Sequence, residues 1–103
     1  MAVFVVSYHF RQPERDYAPF FERLRKYVHV QALETVWLID SLGNSARIRD
    51  DLFEAMDPED GLVVALLEGM ASWNRLEGDA DLWLLQRFTG TMAGAAPRIG
   101  PPA

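Results

Sequence analysis

The chain has no cysteine among its 103 residues, which excludes disulfide scaffolds, thiol nucleophiles, zinc–cysteine sites and iron–sulfur clusters. It also lacks a basic excess: 10 Lys and Arg residues stand against 15 Asp and Glu residues, for a formal net charge of −5. Proteins that bind nucleic acid over a wide surface usually carry such an excess, so broad non-specific DNA binding is not expected. Because 50% of the residues are hydrophobic, a disordered chain is excluded as well. These properties predict one small, acidic globular domain.

Long hydrophobic runs are also missing from the sequence. The apolar stretch from Leu62 to Leu67 has the length of a strand and is far too short to span a bilayer. The chain starts directly with the strand-like residues Ala2 to Val6, with no basic region before them, so no signal peptide is expected. We therefore predict no membrane partner and a cytoplasmic location.

Motifs of known chemistry are absent from the sequence. There is no glycine-rich phosphate loop, no pair of histidines at metal-binding spacing and no nucleophile elbow. The two histidines, His9 and His29, lie on different predicted elements. His9 is the stronger candidate for a site, because it closes a predicted buried strand and polar residues at strand ends are where sites gather in open sheets. No cofactor and no metal ligand are predicted from the residues.

Hydrophobic periodicity predicts the order strand, helix, strand, strand, helix, strand. The predicted elements are the strand Ala2–Tyr8, the helix Asp16–Val28 with Asp16 as N-cap, two short strands or one bent ribbon over Val28–Asp40, the helix Ser45–Met56 with Ser45 as N-cap, and the strand Leu62–Leu67. Within Val28–Asp40, Leu33-Glu34 is predicted to form either a tight connection or a bulge.

This order is typical of the α+β, ferredoxin-like βαββαβ fold, with two helices on one face of a four-stranded antiparallel sheet. We expect one domain over residues 1–88, with Ala2–Tyr8 and Leu62–Leu67 adjacent and central. A C-terminal extension is expected to hold a last helix, capped by Asp79 and running through Phe88. Residues 89–103 are rich in Gly, Ala and Pro and predict a flexible tail. Trp73 and Trp83 lie outside the predicted sheet and suit a partner subunit.

Several short segments together resemble a known family. The segments are Val6-Ser7-Tyr8, Arg15-Asp16-Tyr17, Leu33-Glu34-Thr35-Val36-Trp37-Leu38-Ile39, Ser45-Ala46-Arg47-Ile48-Arg49-Asp50-Asp51-Leu52, Asp60-Gly61-Leu62-Val63-Val64 and Ala71-Ser72-Trp73. With them the chain resembles the SinR-like and VapD-like branch of the CRISPR-associated Cas-two superfamily, over roughly residues 2 to 75.

The resemblance implies a ferredoxin-like homodimer whose subunits pack their sheets together and act in antiviral defence. Some Cas-two proteins are metal-dependent endonucleases, and others are non-catalytic scaffolds. The catalytic members place an aspartate at the end of the first strand, after a Ser-Tyr or similar pair, to hold Mg²⁺. Tyr8 matches this motif, but His9 stands at the position of the aspartate. Because imidazole is a poor magnesium ligand, the resemblance implies a degenerate nuclease site here.

Three functions remain open at this point. The first is a Cas-two-like homodimer serving as a structural or interaction module, with a nucleic acid or a protein of a defence or toxin system as partner. The second is a metal-independent endoribonuclease or toxin-like nuclease, with His9 as general acid and base, Tyr8 beside it, and Arg11, Arg15, Arg25 and Lys26 as candidate nucleic-acid ligands. The third is a ferredoxin-like regulatory domain that senses a small molecule.

Overall fold

The computed structural model describes residues 1–88, and the predicted tail, 89–103, lies outside the described residues. The elements follow in the order β1 (Ala2–His9), α1 (Ala18–Arg25), β2 (Val28–Leu33), β3 (Val36–Ser41), α2 (Ser45–Phe53), β4 (Gly61–Leu67) and α3 (Ala80–Phe88). None of the helices within residues 1–88 is long and apolar enough to cross a membrane.

The four strands form one antiparallel sheet in the order β2-β3-β1-β4. The helix α1 connects β1 to β2 across the intervening β3, and α2 connects β3 to β4 across the intervening β1. This is the split βαβ arrangement, repeated twice. The predicted α+β, ferredoxin-like fold is therefore confirmed, and α3 forms the predicted C-terminal extension.

The main hydrophobic core lies between the sheet and the helices α1 and α2. Side chains of β1 alternate between the two faces of the sheet, so Phe4, Val6 and Tyr8 point into this core. Phe20 and Leu24 of α1 and Ile48 and Leu52 of α2 close the core from the other side; the least exposed members, at 0%, are Val6, Phe20, Leu24, Ile39 and Leu52. Both helices share this core, which confirms that they cover one face of the sheet.

The prediction that the last strand is central is wrong. β4 pairs with β1, as expected, but it forms an edge of the sheet, and β3 is the second central strand. The crossover through α2 carries the chain from β3 past β1, so the outer side of β1 is the place left for β4. Its apolar sequence therefore does not reflect burial on both faces, since Val63 is 59% exposed and Leu66 is 49% exposed.

The helices are shorter than predicted, and their caps differ. α1 begins at Ala18 with Tyr17 as its N-cap, while Asp16 accepts a hydrogen bond from the Ala18 N–H at 2.9 Å. The N-cap of α2 is Asn44, because its side-chain oxygen accepts a hydrogen bond from the Arg47 N–H at 3.0 Å. Both differences fall within one or two residues of a helix end, where capping residues compete for the same orphan N–H groups.

The two alternatives left open for Leu33-Glu34 are both present in part. Val28–Asp40 forms two strands, joined by a turn at Glu34 and Thr35. The pairing register of β2 and β3 also shifts between Gln31 and Leu33, as at a β-bulge.

A second hydrophobic core lies on the opposite face of the sheet, beneath α3. Leu84 and Phe88 of α3 pack there with Val3, Ala32 and Leu38 of the sheet. The predicted start of this helix after Asp79 is confirmed. Trp73 and Trp83 pack against this second core and are half-buried, so intramolecular contacts cover part of the surface that had been predicted to suit a partner.

An ion pair ties α3 to the sheet at one end of this second core. Arg87 donates a hydrogen bond from Nε to Asp40 Oδ2 at 2.9 Å, and its guanidinium carbon lies 3.6 Å from the centre of the Trp83 ring. Both charged side chains are largely buried, with 22% of Arg87 and 11% of Asp40 exposed. The second core joins α3 to residues of β2, β3 and the start of β1, and it includes Leu67 at the end of β4.

Candidate functional site on the open half of the sheet

The helix α3 leaves half of its face of the sheet uncovered. The uncovered part, called the open half below, consists of Ser7 and His9 on β1 together with Val63 and Ala65 on β4, and it borders Val5, which packs against the second core. The strand register places Val5 opposite Ala65 and Ser7 opposite Val63. Since successive side chains of a strand alternate in direction, all five residues lie on the same face.

The open half is apolar and accessible. Val63 is 59% exposed, Ala65 is exposed, and Val5 and Ser7 are half-buried. Val63 is β-branched, lies within a strand and has most of its surface in water. Its contact with solvent is unfavourable, and burial against a partner would remove that contact.

The outer edge of β4 is also without a neighbour among residues 1–88, because β4 pairs only with β1 there. Natural edge strands are usually protected by charged residues, prolines or bulges. The sequence of β4, GLVVALL, contains no charged residue and no proline. This strand therefore lacks the residues that usually protect an exposed sheet edge.

His9 lies at the rim of the open half, at the last position of β1, and is exposed. It pairs with Gly61, the first residue of β4. A Cβ placed on Gly61 would lie 3.7 Å from His9 Cβ and 3.8 Å from Arg11 Nη2. The missing side chain of Gly61 thus leaves an open point that both the Cβ of His9 and the guanidinium of Arg11 approach.

Tyr8 points to the other face of the sheet and is 6% exposed. Its hydroxyl accepts a hydrogen bond from Trp37 Nε1–H at 3.2 Å and lies 3.3 Å from the Glu34 carbonyl oxygen, to which it donates. Burial is the main cause that raises the pKa of this phenol above its usual value. Tyr8 and His9 are therefore not brought together, and a shared catalytic role for them stays a prediction.

The four basic candidates do not form one surface. Arg11 and Arg15 lie in the loop between β1 and α1, whereas Arg25 and Lys26 lie at the far end of α1. Arg15 Nη1 lies 3.7 Å from Asp57 Oδ2, in an ion pair. These positions leave Arg11 as the candidate cation beside His9, and nucleic-acid binding by any of the four stays a prediction.

Asp60 organises the loops next to His9, although in the sequence it stood out only as part of a segment that carries the family resemblance. It is 8% exposed and accepts three hydrogen bonds: from the Arg11 N–H at 2.7 Å, from the Tyr17 hydroxyl at 2.7 Å and from the Asp57 N–H at 2.8 Å. One carboxylate thus joins the loop after β1 to the loop before β4. The sequence signal for this role is an Asp directly before the Gly at which a strand begins. Because Asp and Gly are common in ordinary turns, this signal does not single out Asp60.

The charge of Asp60 is stabilised within the folded protein. Burial alone would raise the pKa of this carboxyl, but the hydrogen bonds from Arg11, Tyr17 and Asp57, together with the charge of Arg15, hold the pKa below its usual value. Burial, followed by the hydrogen bond to Asp60, raises the pKa of Tyr17. The loop that carries Arg11 is therefore fixed by an ionised, satisfied carboxylate.

The surroundings of His9 do not suit the Mg²⁺ that the family resemblance implies. A hard divalent cation is bound by carboxylate and carbonyl oxygens. Next to His9 stand Gly61, which has no side chain, and the cationic Arg11. No group of three or more His, Asp or Glu side chains within residues 1–88 is arranged to hold a metal ion.

Comparison of the chain with protein-family models, with curated proteins and with solved structures found no match. The fold and the site are therefore interpreted from their own geometry. The structure establishes that the chain is a small α+β protein whose four-stranded antiparallel sheet has the ferredoxin-like arrangement.

Proposed function

We propose that the protein is a homodimeric structural or interaction module of the Cas-two type, without a metal-dependent nuclease centre. The observation that carries the proposal is the apolar open half of the sheet, which α3 leaves uncovered although it packs on the neighbouring part of that face. In this proposal two copies pack their open halves together.

Size and composition support a dimer. A chain of 103 residues buries a limited core, so an added apolar interface contributes a large share of its stability. Val63 and Ala65 are exposed on the open half, and the net charge of −5 is modest enough for two copies to associate. A two-fold axis through the open half would place the two copies of Val63 near each other in an isologous contact.

The loss of magnesium chemistry is supported by the residues around the end of β1. His9 occupies the position at which the resemblance would require a carboxylate, and the guanidinium of Arg11 stands beside it. The fixed positive charge of Arg11 disfavours a hard cation there, and an imidazole supplies no carboxylate oxygen to hold one. The partner in this role is a nucleic acid or a protein of a defence or toxin system.

Single cysteines test the proposed packing cleanly, because the natural sequence has none. Val63→Cys should be joined to a second copy by a short bismaleimide cross-linker, since sheets packed face to face lie about 10 Å apart. Leu42→Cys is the matched control: Leu42 is 85% exposed, in the turn after β3, and should stay monomeric on denaturing gels. Equal cross-linking of both variants at low protein concentration would reject the open half as the interface.

A second candidate function, metal-independent RNA cleavage, is favoured by the position of His9 and Arg11 on either side of the open point at Gly61. A histidine can accept and return a proton at neutral pH, and an arginine can bind the phosphate of the same linkage. His9 is exposed and Arg11 Nη2 lies 3.8 Å from the position where a Gly61 side chain would begin, so a phosphate can approach both.

Cleavage assays separate the two functions. We expect no Mg²⁺- or Mn²⁺-dependent cleavage of single-stranded RNA or duplex DNA by the wild type. If the second function holds, RNA is cut in the presence of EDTA, and His9→Ala lowers the rate by about 100-fold or more. His29→Ala is the control, because His29 lies on β2 and its Nδ1 lies 2.8 Å from the Tyr27 carbonyl oxygen. Robust magnesium-dependent cleavage by the wild type would overturn the proposed loss of the metal centre.

A further inference from the structure

The hydrogen-bonding pattern of β1 shows which of its backbone groups face β4. The Tyr8 N–H donates to the carbonyl oxygen of Thr35, the residue directly before β3, at 3.3 Å. The N–H and C=O of one residue in an antiparallel strand point to the same side, and those of the next residue point to the opposite side. Tyr8 therefore faces β3, and its neighbour Ser7 faces β4.

The same alternation identifies the free backbone groups on the outer edge of β4. Ser7 lies opposite Val63, so the backbone groups of Val63 face β1. Those of Leu62, Val64 and Leu66 consequently point outward, where β4 has no neighbouring strand among residues 1–88. Each of these residues offers one N–H and one C=O, which together suffice for a short ladder with an added strand.

The surface next to this edge is apolar on both faces of the sheet. On the face covered by α2, Leu66 is 49% exposed and Phe53 is 36% exposed. On the opposite face, Val63 is 59% exposed. The side chains of an added strand alternate between the two faces, so apolar side chains on either face would find apolar neighbours.

The two ends of the edge are acidic. A depression beside the start of β4 is lined by Arg49, Asp50, Phe53, Asp60 and Leu62. Arg49 Nη2 lies 2.9 Å from Asp50 Oδ1 in an ion pair, so Asp60 leaves this end with a surplus negative charge. Arg11 approaches the start of β4 from the open half, not from the outer edge. At the other end, Glu68 directly follows the strand and is exposed.

These charges disfavour a second copy of the chain at the edge. Antiparallel pairing of two β4 strands about Val64 would place Asp60 of each copy opposite Glu68 of the other. Like charges directly opposite each other destabilise a strand pair, whereas opposite charges stabilise it. The net charge of −5 also favours a basic partner over another acidic chain.

We propose that β4 accepts an extended segment of another protein as an antiparallel fifth strand, apolar or β-branched in its centre and basic at both ends. The backbone of the segment bonds to Leu62, Val64 and Leu66, and its basic ends lie opposite Asp60 and Glu68. The edge groups point in the plane of the sheet, away from the open half. The binding of this segment therefore does not depend on the face-to-face dimer.

The peptide KTVTVTVTK is a suitable probe, because it reaches from Asp60 to Glu68 when its central valine lies opposite Val64. ETVTVTVTE is the matched control with acidic ends. Fluorescence anisotropy of the labelled peptides should show saturable binding of the first and binding at least about tenfold weaker for the second. Equal affinity of the two peptides, or no saturable binding of the first up to about 1 mM, would overturn the proposal.

Amide exchange, followed by NMR in the wild-type protein, locates the bound peptide. The N–H groups of Leu62, Val64 and Leu66 should exchange quickly in the free protein and at least about tenfold more slowly with saturating KTVTVTVTK. The N–H groups of Val63 and Ala65 face β1 and should be protected in both states. Fast exchange at the three outward groups despite bound peptide would overturn the proposal, and so would protection before peptide is added.

Two variants at Leu66 test the backbone ladder. Leu66→Pro removes an outward N–H and leaves the bonds between β4 and β1 in place, because the Leu66 N–H does not face β1. It should weaken binding of KTVTVTVTK about tenfold or more, whereas Leu66→Thr, which keeps the N–H, should weaken it less than about threefold. Equal binding by the two folded variants would exclude strand addition. If Leu66→Pro does not fold, the amide exchange of the wild type decides.

A charge reversal tests the acidic end. Glu68→Lys should weaken binding of KTVTVTVTK about fivefold. Glu22→Lys makes the same change in net charge at an exposed position on α1 and should change binding less than about twofold. Equal losses in both variants would show a general attraction between an acidic protein and a basic peptide, and would contradict recognition at the edge of β4.

Discussion

Replacing Asp60 by asparagine should lower the free energy of unfolding by about 2–3 kcal/mol, as measured by urea denaturation. Asp60 accepts hydrogen bonds from three donors in a largely buried position. An amide supplies one oxygen acceptor and turns an NH₂ group toward donors that need an acceptor, so buried N–H or O–H groups lose their partners. Glu59→Gln removes a neighbouring, exposed charge and should change stability by less than about 0.5 kcal/mol.

The same variant should change how stability depends on acidity. The pKa of Asp60 is lower in the folded protein than in the unfolded chain. Its contribution is therefore complete above the ordinary aspartate pKa of about 3.9 and is lost as the pH falls through the lower folded value. Asp60→Asn should lose less stability than the wild type over this acidic range. Identical acid profiles for the two proteins would show that the Asp60 carboxylate does not hold the two loops together.

Val63→Glu should weaken self-association by about 100-fold or more. The variant places a carboxylate at the centre of the open half, and a two-fold axis there brings two such charges into one apolar interface. The fold should survive, because Val63 is 59% exposed and lies on an edge strand. Sedimentation equilibrium measures the change, and circular dichroism checks the secondary structure.

Leu42→Glu is the control for this variant, since it adds the same charge at a position that is 85% exposed and outside the sheet. It should leave association unchanged. If both substitutions weakened association equally, a general effect of added negative charge would explain the result, and the open half would not be the interface.

The fold could be predicted because its core follows simple periodicities. Phe20, Leu24, Ile48 and Leu52 recur at helical spacing, and the structure buries all four between the helices and the sheet. The apolar run of β1 likewise predicted a central strand, and β1 does lie between two neighbours. Hydrophobic periodicity within one helix or strand predicts which face of that element is buried in the core.

The position of β4 could not be predicted in the same way. Its apolar sequence resembles that of a central strand, but the order of strands depends on the crossovers and not on the strand itself. A strand covered by its own subunit and one covered by a partner have the same composition. Hydrophobic pattern alone does not distinguish them.

The details of the site depended on contacts between distant parts of the chain. Asp60 meets the Tyr17 hydroxyl 43 positions away and the Arg11 N–H 49 positions away, and no local pattern encodes such pairs. Tyr8 and His9 are neighbours in sequence, yet strand alternation sends them to opposite faces. Arg11 and Arg25 are also separated by the length of α1, so their distance depends on where this helix lies in the fold.

The molar mass of the wild-type protein in solution, measured by light scattering across a range of micromolar concentrations, tests the central claim most directly. The open half of the sheet should bring two copies together, giving twice the 11.7 kDa mass of the chain. Val63→Glu measured alongside should approach the single-chain mass at the lower concentrations. A wild-type protein that remains at the single-chain mass throughout would contradict the homodimeric module proposed here.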